Sequence, residues 1–205
     1  MSNAVPETRD RILSACLTLL ENSDGQEVRV SDVADAAGVT RQTLYLYFRN
    51  RTELLIATTH FVDDIKNADE RLRPSRTAGS GQERLDAYIT AWCTYIPEIY
   101  GISRALLVMK DPDARQAWES RMKDMWEGCE AAILALRADG HLTPDYSVKE
   151  ASDLLWTLLS VRNWENLRIE RGWSQAQYLA ATLTMAQRLF VKAPPRSDYI
   201  SATPE

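Results

Sequence analysis

The residues best suited to contact another molecule stand in one short run, Arg41-Gln42-Thr43-Leu44-Tyr45-Leu46-Tyr47-Phe48. Leu44 and Phe48 are four residues apart, so on a helix they share one face, which we expect to pack inward. The outward side chains then carry guanidinium, amide, hydroxyl and phenol groups: Arg41, Gln42, Thr43, Tyr45 and Tyr47. Such groups form hydrogen bonds with base edges and phosphates in the major groove of DNA, which admits one helix.

A purely structural interpretation of this run stays open, because helix-turn-helix shapes also occur as packing units in helical proteins. Tyr45 and Tyr47 would then be core aromatics. At a spacing of two residues, however, they cannot both share the inward face with Leu44 and Phe48. We therefore favour the nucleic-acid interpretation.

The preceding residues predict the elements that hold this helix in place. Val30 to Ala37 forms a short helix that Ser31 can cap, Gly38 supplies a left-handed turn, and Thr40 caps the next helix. A helix of two turns is marginal alone, so its neighbours must stabilise it. The segment 8–22 can close a three-helix core through its apolar residues, which are Ile12, Leu13, Cys16, Leu19 and Leu20.

Composition argues against several other kinds of site. The 205-residue chain has a net charge of −5, yet no acidic residue lies between Ala36 and Thr52, where three arginines form a small basic face. The three cysteines and two histidines are scattered, so we expect buried thiols, no metal site and no cofactor. Without a long apolar stretch or signal peptide, a cytoplasmic protein with no membrane contact is expected.

Helix-start and helix-end signatures divide the chain. Capping-box patterns begin at Asn50, Ser80, Ser147 and Ser174, and glycines stand at expected helix ends, Gly38, Gly140 and Gly172. They predict an all-α protein with about nine helices, near residues 8–22, 31–37, 41–47, 51–73, 82–96, 101–109, 112–138, 148–171 and 174–191.

The same signatures predict three regions. These are an N-terminal three-helix helix-turn-helix domain over 1–50, a helical ligand-binding and dimerisation domain over 51–192, and a disordered tail over 193–205. The segment 51–73 lacks Gly and Pro and predicts one helix of about 34 Å that links the two domains. On it, Asp63 and Asp64 are expected to be solvated.

The run from Val30 to Leu55 resembles the DNA-binding segment of the TetR family of transcriptional regulators. The resemblance rests on Ala37-Gly38-Val39-Thr40, Thr43-Leu44-Tyr45 followed by Tyr47-Phe48, and Glu53-Leu54-Leu55. Leu155 to Ser174 also resembles sensor domains of some members. The resemblance implies a homodimeric repressor that binds a palindromic double-stranded DNA operator and is released by a small apolar or aromatic effector.

The resemblance also implies roles for individual residues. Thr40, Tyr47 and Arg51 would contact the DNA backbone, Ser31 a phosphate, and Arg41, Gln42, Thr43 and Tyr45 the base edges. Arg51 stands where the family usually has lysine, and either cation can meet a phosphate. Leu46 is apolar where the family is often polar, and two contacts are open to it: a thymine methyl group, or packing on helix 51–73.

The second domain is rich in large apolar side chains, since all six tryptophans follow residue 90. Such groups line small-molecule cavities, although for any one of them a place in the core is the favoured interpretation. The predicted ligand-binding residues are Trp92, Tyr95, Met109, Trp118, Met122, Trp126, Trp156 and Asn163.

The last two long helices carry apolar residues on more than one side, which indicates a partner chain and a four-helix dimer interface. The predicted interface residues are Leu155, Leu158, Arg162, Leu179, Leu183, Ala186 and Phe190.

One alternative function is a helical small-molecule-binding protein, or an enzyme acting on apolar substrates, that does not bind DNA. The sequence has no nucleophile elbow, no phosphate-binding glycine loop and no histidine beside an acid or nucleophile. We therefore predict no catalytic residue.

Overall fold

The computed structural model describes residues 4–22, 28–108 and 110–192, with side chains from Thr8 onward. The predicted all-α class is confirmed, and within these ranges the one β pairing is an isolated bridge between Leu142 and Val191. None of the helices described is long and apolar enough to cross a membrane. The predicted tail over 193–205 lies outside the described residues.

The helices run in the order α1 (Ala4–Glu21), α2 (Val30–Ala36), α3 (Arg41–Tyr47), α4 (Arg51–Ile65), α5 (Ala68–Arg71), α6 (Arg73–Arg76), α7 (Gly81–Leu107), α8 (Pro112–Ala138), α9 (Val148–Leu158), α10 (Val161–Glu165) and α11 (Gln175–Phe190). A π-helical turn over Asn166–Glu170 follows α10. Two of the predicted capping boxes are complete, at Ser147 and at Ser174. Reciprocal caps of this kind satisfy backbone groups that a helix start leaves unpaired.

Helices α1, α2 and α3 and the first half of α4 are called the N-terminal unit, and the rest of α4 and the helices after it are called the body. Helices α1 to α4 enclose one apolar core, and the second half of α7 closes this core from the side of the body. Of the predicted core residues of α1, Ile12, Leu13, Cys16 and Leu20 are at most 2% exposed, and Leu19 packs half-buried against them. At Gly101 on α7 an added Cβ would lie 2.3 Å from the backbone oxygen of Leu20. The absence of a side chain at Gly101 therefore allows α1 and α7 to touch.

Helix α7 is continuous, so the prediction of separate helices over 82–96 and 101–109 is wrong. Pro97 lies inside α7 and has no N–H to offer the carbonyl of Cys93. The side chain of Gln175 supplies the missing donor, because its Nε2 lies 2.7 Å from that oxygen. The Oε1 atom of Gln175 accepts a hydrogen bond from Trp164 Nε1 at 3.0 Å. A distant side chain thus repairs the helix at Pro97.

Two other predicted helices are shorter than expected. The helix predicted over 51–73 ends at Ile65, because Asn67 adopts a left-handed conformation with φ of 50° and the chain turns there. Asparagine tolerates this conformation better than most residues. The helix predicted over 148–171 ends at Leu158, and α10 begins anew with Ser160 as its cap.

Candidate DNA-binding surface and effector cavity

Helix α3 is fixed by its cap and by two buried side chains. Thr40 Oγ1 accepts a hydrogen bond from the backbone nitrogen of Thr43 at 3.0 Å. Leu44 is 0% exposed and Phe48 is 1% exposed, so their predicted inward packing is confirmed. The guanidinium of Arg9 on α1 lies 5.6 Å from the centre of the Phe48 ring. The neighbouring helices therefore hold a helix that would be marginal alone.

Most of the remaining residues of α3 point away from this core, whereas Tyr47 packs partly against it. Arg41 and Gln42 are exposed, while Thr43 and Tyr47 are half-buried. Tyr45 is 42% exposed, so the alternative in which it is a core aromatic is wrong. Leu46 is 81% exposed, and this excludes the alternative that it packs on α4. The outward face of α3 thus presents hydrogen-bonding groups around one apolar side chain, with no carboxylate.

The turn between α2 and α3 has the expected geometry at Gly38, whose φ is 66°. The predicted cap of α2 is wrong, because the helix begins at Val30 and Ser31 lies inside it. The Ser31 hydroxyl instead donates a hydrogen bond to Asp32 Oδ1 at 3.2 Å. Ser31 is half-buried near the start of α2, and its contact with a phosphate stays a prediction.

The start of α4 is tied to the rest of the N-terminal unit. Asn50 Oδ1 accepts a hydrogen bond from the backbone nitrogen of Glu53 at 2.7 Å and so caps the helix. The half-buried Arg51 donates from Nε to the carbonyl oxygen of Val28 at 3.3 Å. Arg51 therefore has a structural role, and its predicted contact with the DNA backbone stays a prediction.

A cavity of about 500 Å³ lies among α4, α5, α6, α7 and α8. Its wall on α7 is aromatic and includes Tyr88, Trp92 and Tyr95, of which the last two belong to the predicted ligand-binding set. Tyr88 donates a hydrogen bond to the carbonyl oxygen of Met125 on α8 at 2.7 Å. At Gly128 an added Cβ would lie 2.4 Å from the Tyr88 hydroxyl oxygen, so the glycine leaves room for this ring.

One wall of this cavity contains a charged cluster that joins three helices. Asp63 on α4 forms a bidentate ion pair with Arg121 on α8, and Arg121 Nη2 lies 2.7 Å from Asp63 Oδ1. Tyr95 on α7 donates its hydroxyl hydrogen to the same carboxylate. The expectation that Asp63 is merely solvated is therefore wrong. Its partner lies 58 residues away in sequence, and no local pattern reveals the pairing.

Burial and pairing set the protonation of this cluster. Burial raises the pKa of Tyr95, and its hydrogen bond to Asp63 raises the pKa further. Burial alone would lower the pKa of Arg121, but the hydrogen bond and charge of Asp63 outweigh that effect and the pKa is raised. The cluster thus consists of a neutral phenol and a charged guanidinium held on one carboxylate. The guanidinium of Arg71 also lies 5.1 Å from the centre of the Tyr95 ring.

The other predicted ligand-binding residues that the structure describes do not line this cavity. Met122, Trp126 and Trp156 line a separate recess of about 370 Å³, in which the Trp126 indole donates to Asp153 Oδ1 at 2.8 Å. Trp118 packs half-buried against the N-terminal core and also against a second apolar core, which lies among α7, α8, α9 and α11. Asn163 lines neither space, because its amide donates to the carbonyl of Thr157 at 2.6 Å. Met109 lies outside the described residues. The predicted ligand-binding residues are therefore divided between the aromatic cavity, the separate recess and positions that line neither space.

A second space of about 640 Å³ opens between α4 and α8, on the other side of the charged cluster. Asp63, Arg121 and Asp124 line both this space and the aromatic cavity. The paired side chains of Asp63 and Arg121 thus stand at the boundary between the two.

The predicted dimer interface needs correction. Leu155, Ala186 and Phe190 are 0% exposed within one chain, so they belong to the core of the body and cannot contact a partner. Arg162 is exposed but pairs with Glu165 of its own helix. Leu158, Leu179 and Leu183 are half-buried at the surface, and beside them the more exposed apolar residues of α9 and α11 are Leu154, Met185 and Leu189.

Comparison with known families identifies the N-terminal unit. Residues 12–58, which span most of α1 and all of α2, α3 and the first half of α4, match the family described as bacterial regulatory proteins, tetR family. This N-terminal unit is that of the TetR family. The expectation from the sequence resemblance is therefore confirmed. Regulators of this family bind DNA operators and small-molecule effectors.

Similarity to known regulators continues beyond the N-terminal unit. The transcriptional repressor LfrR of Mycolicibacterium smegmatis is 28% identical over 159 residues, which cover 77% of this chain and 78% of LfrR. Among solved structures, a regulator of Saccharomonospora viridis in complex with choline has a TM-score of 0.79 at 18% identity, covering 92% of this chain and 100% of that one. A structure of LfrR in complex with proflavine has a TM-score of 0.61 at 24% identity, covering 93% and 100%. These similarities show that the fold extends through the body.

Proposed function

We propose that this TetR-family protein is a cytoplasmic, homodimeric repressor that binds a palindromic operator through α3 and leaves it when a small apolar or aromatic molecule occupies the body. The outward face of α3 carries the proposal: two buried side chains fix the helix while Arg41, Gln42 and Tyr45 extend into solvent. Residues 1–50 would read DNA and residues 51–192 would bind the effector and the second chain. The body receives no catalytic role in this proposal.

The aromatic cavity supports the effector half of the proposal. Tyr88, Trp92 and Tyr95 offer ring faces and edges to an apolar or aromatic molecule, and a volume of about 500 Å³ suits a small ligand. The same fold holds choline in the Saccharomonospora viridis regulator and proflavine in LfrR.

The charged cluster supplies a route from the cavity to the DNA-binding helices. Asp63 lies near the end of α4, whose beginning packs in the N-terminal core through Leu54 and Leu55. An effector that displaces Arg121 or Tyr95 from Asp63 would shift α4 and, with it, α3. Two recognition helices must stay about one DNA turn, roughly 34–36 Å, apart, so a small shift in each chain weakens binding.

Apolar residues of α9 and α11 support the homodimer. Leu154 and Leu158 share one side of α9, and Met185 and Leu189 share one side of α11, since each pair is four residues apart. These side chains retain exposed surface in the single chain. A second chain would bury them in a four-helix interface.

A band-shift titration on duplexes that cover the DNA upstream of the gene tests the proposal. We expect a saturable complex whose affinity falls as salt is raised. Arg41→Ala should weaken it about ten-fold or more, and Gly38→Val should abolish it by straining the left-handed turn. Arg115→Ala, which removes an exposed arginine from α8, is the matched control and should bind like the native chain. The absence of any saturable complex would favour a small-molecule-binding protein without DNA binding.

A further inference from the structure

Leu46 is the most exposed large apolar side chain in the described part of the protein. It is 81% exposed, whereas Val108 follows at 71% and Ile169 at 56%. Leu46 lies in the last turn of α3 rather than in a loop, and no neighbouring helix covers it. Its position in solvent therefore needs an explanation that the fold does not provide.

Helix geometry places Leu46 at the centre of the outward face. Each residue of an α-helix advances about 100° around the axis. Around the helix axis, Gln42 and Leu46 each lie about 160° from the buried Leu44. The direction that points directly away from Leu44 passes between them. Arg41 and Tyr45 lie on one flank of this pair. A molecule that binds to the outward face of α3 must therefore contact Leu46 together with Gln42.

The surroundings of Leu46 favour a polar partner with one apolar spot. Arg41, Gln42 and Thr43 bear hydrogen-bonding groups, and α3 has no carboxylate. A protein partner would need a larger apolar patch, since one exposed leucine among polar groups buries little area. In the major groove, the C5 methyl group of thymine is the apolar feature of the base edges. A leucine beside the amide of Gln42 matches that pattern.

We propose that Leu46 reads a thymine by covering its C5 methyl group, and that this contact selects one base pair in each operator half-site. The inference rests on the proposed DNA-binding function and adds an apolar reader to its polar ones. Loss of one buried methyl group weakens binding about four-fold, so a symmetric operator with two such contacts should lose about fifteen-fold.

Replacement of thymine by uracil tests this contact, because uracil keeps the base pair and the O4 acceptor but lacks the methyl group. The probe is a duplex of about 30 base pairs, long enough for two half-sites one turn apart, selected by the native chain from a randomised library. Each thymine is replaced by uracil symmetrically in both half-sites. Dissociation constants are then measured for the native chain and for Leu46→Ala, Leu46→Met and Val108→Ala.

The native chain should lose about fifteen-fold in affinity at one thymine position and little at the others. Leu46→Ala should bind the thymine duplex correspondingly more weakly and be indifferent to uracil at that position, so the two losses are not additive. Leu46→Met keeps an apolar side chain and should retain the preference, and Val108→Ala should match the native chain. Unchanged thermal unfolding of Leu46→Ala confirms that only the surface has changed.

If uracil weakened binding by Leu46→Ala as much as it weakens binding by the native chain at every thymine position, the losses would be additive. That result would overturn the role of Leu46 while leaving DNA binding intact. Failure of the native chain to select any duplex would overturn the proposed function itself, and the reading of thymine with it.

Discussion

The N-terminal unit and the body use their polar side chains in opposite ways. On α3 the polar groups face solvent, and the apolar side chains of Leu44 and Phe48 lie beneath them. In the body, Asp63 and Arg121 face each other across the wall of a cavity, and Tyr95 joins them. The difference predicts which substitutions separate binding from stability. Substitutions on the outward face of α3 should change DNA binding and leave stability unchanged, whereas those in the charged cluster should change both.

The largest effect on stability is expected at the apolar support of α3. Leu44→Ala removes a side chain that is 0% exposed and leaves a cavity beneath the helix, so the free energy of unfolding should fall by about 3 to 4 kcal/mol. Arg41→Ala on the same helix should change it by less than about 0.5 kcal/mol. Urea unfolding of both variants measures the contrast. Equal losses would mean that the two faces of α3 are not distinct.

The joint between the two regions should be the next most sensitive position. Gly101→Ala places a Cβ 2.3 Å from the carbonyl oxygen of Leu20, and the backbones of α1 and α7 must move apart. We expect a loss of about 2 to 3 kcal/mol in urea unfolding despite the better helix propensity of alanine. Gly79→Ala, whose Cβ would meet only the flexible end of Glu83 at 3.2 Å, is the control. A neutral Gly101→Ala would show that the two regions do not pack as described.

In the body, Asp63→Ala should lower the free energy of unfolding by about 2 kcal/mol, because it leaves the guanidinium of Arg121 without its partner. The loss is smaller than for a fully buried pair, since Asp63 retains 29% exposure. The double variant Asp63→Ala/Arg121→Met removes both charges and should recover most of that loss. Thermal and urea unfolding measure the pair. If the double variant has the same low free energy of unfolding as Asp63→Ala, the unpaired charge is not the cause of the lost stability.

Buried thiols in both regions should lower the stability of the protein at alkaline pH. Burial raises the pKa of the Cys16 thiol from 9.0 to about 11, whereas the body thiols Cys93 and Cys129 are raised to about 12. Between pH 9 and 11 the unfolded chain loses the Cys16 proton and the folded chain keeps it, so stability is full below pH 9 and falls as pH rises. We expect the Cys16 thiol alone to contribute a loss of about 1 kcal/mol at pH 10.

The matched variant for this pH effect is Cys16→Ala. Its free energy of unfolding should be lower at pH 7, because a buried side chain is trimmed, but should fall less steeply between pH 9 and 11. Parallel curves for the native chain and Cys16→Ala would contradict the burial of a protonated thiol.

The two regions differ as well in what their sequences disclose. At α3, the spacing of Leu44 and Phe48, the cap Thr40 and the turn Gly38 are local signals, and each predicts its own position correctly. The cavity depends on distant pairings, such as Asp63 with Arg121 and Gln175 with the carbonyl left open by Pro97. No periodicity encodes such contacts, and the sequence therefore does not reveal that Trp92 and Trp126 line different spaces.

The same limit explains the corrected interface. Apolar residues on two sides of α9 and α11 do indicate two packing surfaces, but the pattern does not tell which surface is internal. Leu155, Ala186 and Phe190 turn out to be fully buried in one chain, while Leu154, Met185 and Leu189 retain exposed surface. Helix periodicity fixes which residues share a side, and only the packing of the whole chain decides which side is covered.

Fluorescence anisotropy of a labelled, selected operator duplex, titrated with the native chain at several salt concentrations, tests the central claim most directly. If two copies of α3 meet the DNA, the titration will saturate at two chains, or a multiple of two, per duplex. The logarithm of the association constant will then fall linearly with the logarithm of salt concentration. Saturation at one chain per duplex, or an anisotropy that does not respond to the protein, would contradict the account.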